Sequence, residues 1–177
     1  MILEIIHTEH GYINRLLNVL QQKLEMIKKG QSVDYSLIKD IVDYLHNYAQ
    51  CCHHPKEDIL YHYYQSHYAK NDDMKNLEQE HLELAQLTSE FAETVDMILM
   101  DAVIPLDLFA EKLNTFVTRQ KAHLELEEKQ VFPLIRRHFT AKDWLAVSAE
   151  YQGEYSDPLF GDKVSERYLK LSKRLLV

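Results

Sequence analysis

The chain has little of what interrupts a helix: four glycines and four prolines among 177 residues. Leucine, glutamate, lysine, alanine and glutamine, which favour helices, are abundant in it. This balance predicts long helices joined by short connections. A chain of this length can bury a full core as one domain without staples.

The chain also has fewer basic than acidic residues, no long apolar run and only two cysteines, which bears on its partners and its location. The formal charge of −8 disfavours nucleic acid, which requires many Lys and Arg to neutralise phosphates. No apolar run approaches the roughly 18 residues that span a membrane. Polar residues at Glu4, His7 and Glu9 indicate that no signal peptide is present. The only cysteines, Cys51 and Cys52, are predicted to be reduced, which favours a cytoplasmic location.

Apolar residues recur every three or four positions in four long segments, which predicts an all-α fold. We expect an up-down-up-down antiparallel four-helix bundle over residues 1–140, with C-terminal helices over 141–177 packed on it in the same domain. Gly30 should end the first helix and Asp34 should cap the second. Expected spans are 2–29, 35–69 with a kink at Pro55, 73–101, a helix from Pro105 bent at Pro133, 141–151, and a last helix through Val164, Tyr168, Leu171 and Leu175.

Histidine is the compositional surprise, with ten in the chain. Four histidines and two glutamates fall on stripes predicted to face the core, namely His10, His53, Glu57, His81, His123 and Glu127. A single core histidine is ordinary, but an unpaired buried polar group costs about 1–3 kcal/mol, so six of them favour a bound metal. Buried His–Glu hydrogen-bonded pairs are the purely structural alternative.

Imidazole and carboxylate ligands without thiolate suit iron, manganese or zinc. Two glutamates able to bridge favour a dinuclear site, and an incomplete ligand set would leave a position for a gas or peroxide. A ferritin-like site is an alternative, because Glu4 with His7 and Glu78 with His81 match its Glu-x-x-His spacing. That reading leaves the other core histidines unexplained.

Four motifs in bundle order carry a resemblance: Glu9-His10-Gly11-Tyr12, His53-His54-Pro55-Lys56-Glu57-Asp58, Gln79-Glu80-His81, and His123-Leu124-Glu125-Leu126-Glu127-Glu128. The chain resembles the bacterial hemerythrin-like (HHE cation-binding) family. The trailing Asp157-Pro158-Leu159-Phe160-Gly161 is similar to a subgroup of it.

The resemblance implies two non-haem irons joined by an oxo or hydroxo bridge, with His10, His53, His81 and His123 as ligands and Glu57 and Glu127 as bridges. Manganese or zinc are possible substitutes. Hemerythrin itself has two histidines one turn apart on the third helix, whereas Leu77 and Ala85 flank His81 here. The family pattern makes His54 the expected replacement ligand.

The function implied is binding of oxygen, nitric oxide or peroxide in an oxidative or nitrosative response or in sensing. A di-iron enzyme that reduces peroxide or nitric oxide is an alternative, although no catalytic residue can be assigned. Iron sensing or storage, and a protein-contact module using the C-terminal helices, are further alternatives. A monomer and a homodimer both stay open. Four other polar residues are expected outside the ligand set: Glu125 and Glu128 on a charged outer face, His138 in solvent, and His7 at the surface or behind the ligands.

Overall fold

The computed structural model describes residues 2–68, 72–153 and 156–175, without the side chains of 72–75. Within these ranges every regular element is helical. The α-helices are α1 (Ile2–Lys28), α2 (Tyr35–Tyr48), α3 (His54–His67), α4 (Asp72–Leu99), α5 (Leu106–Leu126), α6 (Phe132–His138), α7 (Ala141–Glu150) and α8 (Leu169–Leu175). The end of the second helix expected near residue 69 lies outside the described residues.

The first connection follows the sequence prediction. Gly30 has a φ of +68°, a conformation that glycine adopts without strain, and its amide donates to the Ile27 carbonyl. Asp34 then caps α2, because its side chain accepts hydrogen bonds from the amides of Ser36 and Leu37. The turn between the two helices is therefore short and well specified.

Two π-helical turns replace the kinks expected at the prolines. Ala49–His53 joins α2 to α3 just before Pro55, and Glu127–Val131 joins α5 to α6 just before Pro133. A proline ring crowds the carbonyl four residues earlier and provides no amide hydrogen. The wider i→i+5 turn, closed by the His54 amide on the Ala49 carbonyl, lets the helix continue past this defect.

The core is divided into two apolar clusters. One contains Leu17, Leu20 and Leu24 of α1, and the other contains Ile2, Leu3 and Ile6 of the same helix. Between them in α1 lies buried His10. Helix α1 packs against α5, α2 against α4, and α4 against α5. The long helices thus carry a polar layer between two apolar ones.

The C-terminal helices lie on the long ones. Helix α7, which begins at a Thr140–Asp143 capping box, contacts α1 and α3, and α8 contacts α2. Tyr168 and Leu171 are buried, and Val164 and Leu175 pack on the larger apolar cluster. The last helix is shorter than predicted, since Glu166–Tyr168 forms a 3₁₀ turn before Leu169. Burial of this apolar face removes the motive for a C-terminal docking module.

The prediction of reduced cysteines is wrong for this structure, which joins Cys51 and Cys52 by a disulfide. Both residues lie in the first π-helical turn. A turn closed by i→i+5 hydrogen bonds rotates less per residue than an α-helix, so neighbouring side chains point in more similar directions. The bond also removes one reason for placing the protein in the cytoplasm. In the described parts of the chain, no helix has the length and apolar character needed to cross a bilayer.

Candidate metal centre

Seven side chains from α1, α3, α4, α5 and the two π-helical turns meet inside the polar layer. All seven are buried, with His54 the most exposed at 7%. They are His10, His53, His54, Glu57, His81, His123 and Glu127. The structure therefore brings together every residue that the sequence proposed for the site.

Glu57 and Glu127 lie between the histidines. Glu57 Oε1 is 3.0 Å from His10 Nε2 and 3.3 Å from His53 Nε2, while its Oε2 is 3.5 Å from His81 Nε2. Each oxygen of Glu57 thus faces a different set of imidazoles.

Glu127, the first residue of the second π-helical turn, also lies between the histidines. Its Oε1 is 3.3 Å from His123 Nε2 and 3.6 Å from His81 Nε2, and its Oε2 is 3.5 Å from His10 Nε2. The two carboxylates therefore connect the same two groups of histidines.

The histidines divide unequally around these carboxylates. His10 and His53 converge with Glu57 in one group, which we call the two-histidine half. His54, His81 and His123 converge with Glu57 in another, the three-histidine half. Within each group the ligand atoms lie within 4.8 Å of one another.

Consecutive residues, His53 and His54, belong to different halves. The His54 ring stacks on His81 with centroids 4.0 Å apart, whereas the His53 ring meets His10 edge-on at 4.9 Å. The π-helical turn ends at His53 and α3 begins at His54, so the change of helix type falls between them.

Several atoms that face this space make no hydrogen bond with correct geometry, although carboxylates and imidazoles lie close to one another. Among the described residues, the buried side-chain atoms without a hydrogen bond include His53 Nε2, His81 Nε2, His123 Nε2, Glu57 Oε2 and Glu127 Oε2. Buried polar atoms are seldom left unpaired, and an ion is one established reason. Five imidazoles with two carboxylates match the donor preferences of iron, manganese and zinc. The residues present therefore fit a pair of such cations.

The pKa shifts show how the side chains of the cluster balance one another's charge. Burial lowers the pKa of His10, but hydrogen bonds to Glu128 and Glu57 outweigh it and raise the pKa to about 10. His81 likewise reaches about 10, where Asp58 and Glu127 oppose the effect of burial. One histidine in each half is thus protonated near neutral pH.

The remaining histidines with shifted values are neutral. Burial, followed by the positive charge of His10, holds the pKa of His53 well below its usual range. Burial and neighbouring His81 do the same for His54. Neutral imidazole is the form that ligates a metal, so these two rings are already in the binding form.

A ring of four carboxylates orients the histidines from behind. Each carboxylate lies one residue from a site residue in sequence and contacts the Nδ1 of a histidine on another helix. The four pairs are Glu9 with His53 at 2.9 Å, Asp58 with His81 at 2.9 Å, Glu80 with His123 at 3.2 Å, and Glu128 with His10 at 2.8 Å. A carboxylate on Nδ1 fixes the tautomer and turns Nε2 toward a metal.

The ring passes once around the long helices. The carboxylate from α1 contacts the first π-helical turn, and that from α3 contacts α4. The carboxylate from α4 contacts α5, and that from the second π-helical turn contacts α1. Every long helical stretch therefore gives one acceptor and receives one. His54 is not part of this ring of carboxylates. Its imidazole stacks on the imidazole of His81 instead.

Helical periodicity in the sequence did not predict the role of these carboxylates. Glu128, predicted on the outer face, is 29% exposed and contacts both His10 and exposed His7. The available signal was an acidic residue beside a site residue in each motif: Glu9, Asp58, Glu80 and Glu128. His138, predicted to be solvated, is exposed but pairs with the Tyr64 hydroxyl at 2.6 Å.

Comparison with known proteins assigns the family. Residues 1–135 match the hemerythrin HHE cation-binding domain, so the chain belongs to that family and binds metal cations. No curated protein and no solved structure gives a significant match. The matched range contains the polar layer and ends before α7.

Proposed function

We propose that the protein is a non-haem di-iron protein that binds oxygen, nitric oxide or peroxide. One cation would be held by the two-histidine half and the other by the three-histidine half, with Glu57 and Glu127 shared between them. Manganese or zinc could occupy the same donors. Iron would supply reversible electron transfer to a bound small molecule.

The unequal division of the histidines carries this proposal. With both carboxylates shared, the two-histidine half offers one protein donor fewer than the three-histidine half. A metal with fewer protein ligands keeps a position for an exogenous one. We therefore assign small-molecule binding to the half formed by His10 and His53.

The surroundings of that half suit a small uncharged ligand. Phe132 stacks on the His10 ring with centroids 5.5 Å apart, and Ile13 is buried one turn along α1. An apolar lining excludes water and favours a diatomic molecule over a large polar substrate. Such a ligand fits a role in an oxidative or nitrosative response, or in its sensing.

Anaerobic iron loading followed by rapid mixing tests the proposal. The reduced protein, with its iron counted, is mixed separately with oxygen, nitric oxide and hydrogen peroxide while the absorption spectrum is followed. Stoichiometric spectral changes that reverse when the gas is removed are expected. A folded protein that takes up no iron, or a loaded protein whose spectrum none of the three ligands alters, would contradict it.

Reduction of peroxide or nitric oxide is the second candidate, and one hydroxyl favours it. Tyr61 is fully buried and its hydroxyl donates to Glu127 Oε1. Burial raises the pKa of Tyr61 well above its usual range, so the hydroxyl keeps its proton beside the site. Sustained turnover that falls in Tyr61→Phe, with iron content unchanged, would favour an enzyme over a carrier.

The proposal also covers the directions of the helices, the partners, the cellular location and the oligomeric state. We propose that the four long helical stretches alternate in direction, which the short α1–α2 connection and the α1–α5 and α2–α4 contacts support. The acidic charge of −8 supports a protein without a nucleic-acid partner. We also propose a cytoplasmic location without a membrane partner, as a monomer or homodimer. Cell fractionation and light scattering test these points.

A further inference from the structure

Lys56 is a fully buried lysine inside the His53–Asp58 motif, with 0% of its side chain exposed. Lysine is almost never buried completely unless a partner offsets the loss of hydration. The proposed ligand set does not use it. Its burial therefore requires a separate explanation.

The partner of Lys56 is the carboxylate that orients His53. Lys56 Nζ forms an ion pair with Glu9 Oε1, and the Tyr48 hydroxyl donates to the same oxygen at 2.8 Å. The other oxygen, Oε2, is thereby left for His53 Nδ1 at 2.9 Å. Lys56 and Tyr48 together fix which oxygen of Glu9 faces the histidine.

Glu9 differs from the other three carboxylates of the ring. Asp58, Glu80 and Glu128 are 28–33% exposed, so water stabilises their charge directly. Glu9 is 3% exposed and depends on protein groups for that stabilisation. The orienting pair behind His53 is consequently the dry one, where electrostatic interactions are strongest.

We propose that Lys56 is a positioning residue that acts through Glu9 on His53 and so governs cation binding in the two-histidine half. This inference rests on the proposed function only in taking each half to hold one cation. Without Lys56, the Glu9 carboxylate loses the only lysine or arginine that pairs with it among the described residues. It then no longer holds the His53 ring with Nε2 toward the metal.

The C-terminal segment covers this arrangement. Lys56 Nζ lies over two aromatic rings, 5.6 Å from the centre of Tyr48 and 5.4 Å from that of Tyr151. Tyr151 follows α7 and lies beyond the residues matched to the family domain. The functional unit therefore extends past residue 135.

Lys56→Met tests the inference, because methionine keeps the length of the side chain and removes its charge. Iron affinity is measured by chelator competition on the full chain. We expect one of the two irons to bind about 10–100-fold more weakly, the usual cost of disturbing a ligand's hydrogen-bond partner. The other iron should retain its wild-type affinity.

Arg119→Met is the matched control. Arg119 lies 3.9 Å from Glu80, the carboxylate behind His123. Its side chain is 46% exposed, so water as well as Arg119 stabilises the charge of Glu80. Its loss should change iron affinity by less than about threefold. Equal effects of the two substitutions, equal weakening of both irons by Lys56→Met, or no effect of Lys56→Met would each overturn the inference.

The double variant Lys56→Met/Glu9→Gln separates positioning from a merely structural role and serves if the single variant does not fold. It removes both buried charges. A merely structural pair predicts that folding and both wild-type iron affinities return, which would overturn the inference. A positioning pair predicts a folded protein with one iron still bound weakly. Wild-type protein that binds two irons but no small ligand would defeat the proposed function and leave this test intact.

Discussion

The two halves of the centre contain the same kinds of residue but differ in the number of histidines and in the burial of the carboxylates behind them. Both contain neutral and protonated imidazoles, share Glu57 and Glu127, and have carboxylates behind their histidines. The three-histidine half has an additional ring, His54, and its orienting carboxylates Asp58 and Glu80 reach solvent. The two-histidine half has one buried orienting pair backed by Lys56. Under the proposed function, one half would anchor its cation and the other would leave room for a ligand.

The largest effect should follow from removing what the halves share. Glu57→Ala deletes a carboxylate whose two oxygens face both halves, so both irons should be lost. Iron content and circular dichroism measure the result, with Glu125→Ala as the control because Glu125 is 60% exposed. Retention of one tightly bound iron would show that the halves do not depend on a common bridge.

Removing a single histidine should affect one half first. His123→Ala takes a ring from the three-histidine half and should lose iron without unfolding the helices. His138→Ala, which removes an exposed histidine outside the centre, should leave iron binding unchanged. Iron analysis with a thermal melt tests both. Equal losses in the two variants would contradict the assignment of His123.

Sequence patterns predicted most of the centre because most of it obeys helical periodicity. His10, His81 and His123 fall on apolar stripes, and Glu57 and Glu127 each lie four residues after a histidine. Periodicity could not place His54 or Glu128, since both depend on π-helical turns that shift the faces of the helix. For His54 the family resemblance provided the expectation. The bond between Cys51 and Cys52 belongs to the same irregular turn.

The ring of carboxylates could not be predicted without knowing which helices are neighbours. Glu9, Asp58 and Glu80 orient histidines on other elements, and nothing in a single sequence says which helices are neighbours. Burial of Lys56 depends in addition on the segment after α7, which places Tyr151 beside it. These features arise from tertiary packing, which a pattern within one helix cannot specify.

A change of pH should act on the halves alike. His10 and His81 each have a pKa raised to about 10, so each half holds one proton that a metal must displace. Raising the pH toward 10 removes these protons and should strengthen iron binding by up to about tenfold per unit for each proton released. Calorimetry in buffers of different ionisation enthalpy counts the protons. Uptake without proton release would contradict the assigned protonation states.

The smallest effect should come from the contact between α2 and the C-terminal segment at Asp157. Tyr44→Phe removes a hydrogen bond of 2.6 Å from the Tyr44 hydroxyl to Asp157, whose other oxygen still accepts the amides of Leu159 and Phe160. The free energy of unfolding should fall by about 1 kcal/mol. Urea denaturation measures this change. A loss of iron in this variant would mean that the C-terminal segment acts on the metals directly.

The difference between the halves can be observed most directly by Mössbauer spectroscopy of the wild-type protein loaded with ⁵⁷Fe, together with its iron content. Two inequivalent sites predict two irons per chain and two quadrupole doublets of equal area. In Lys56→Met, one doublet should weaken under chelator while the other persists. A single doublet from two equivalent irons, or a folded chain that holds only one iron, would contradict the division into a two-histidine and a three-histidine half.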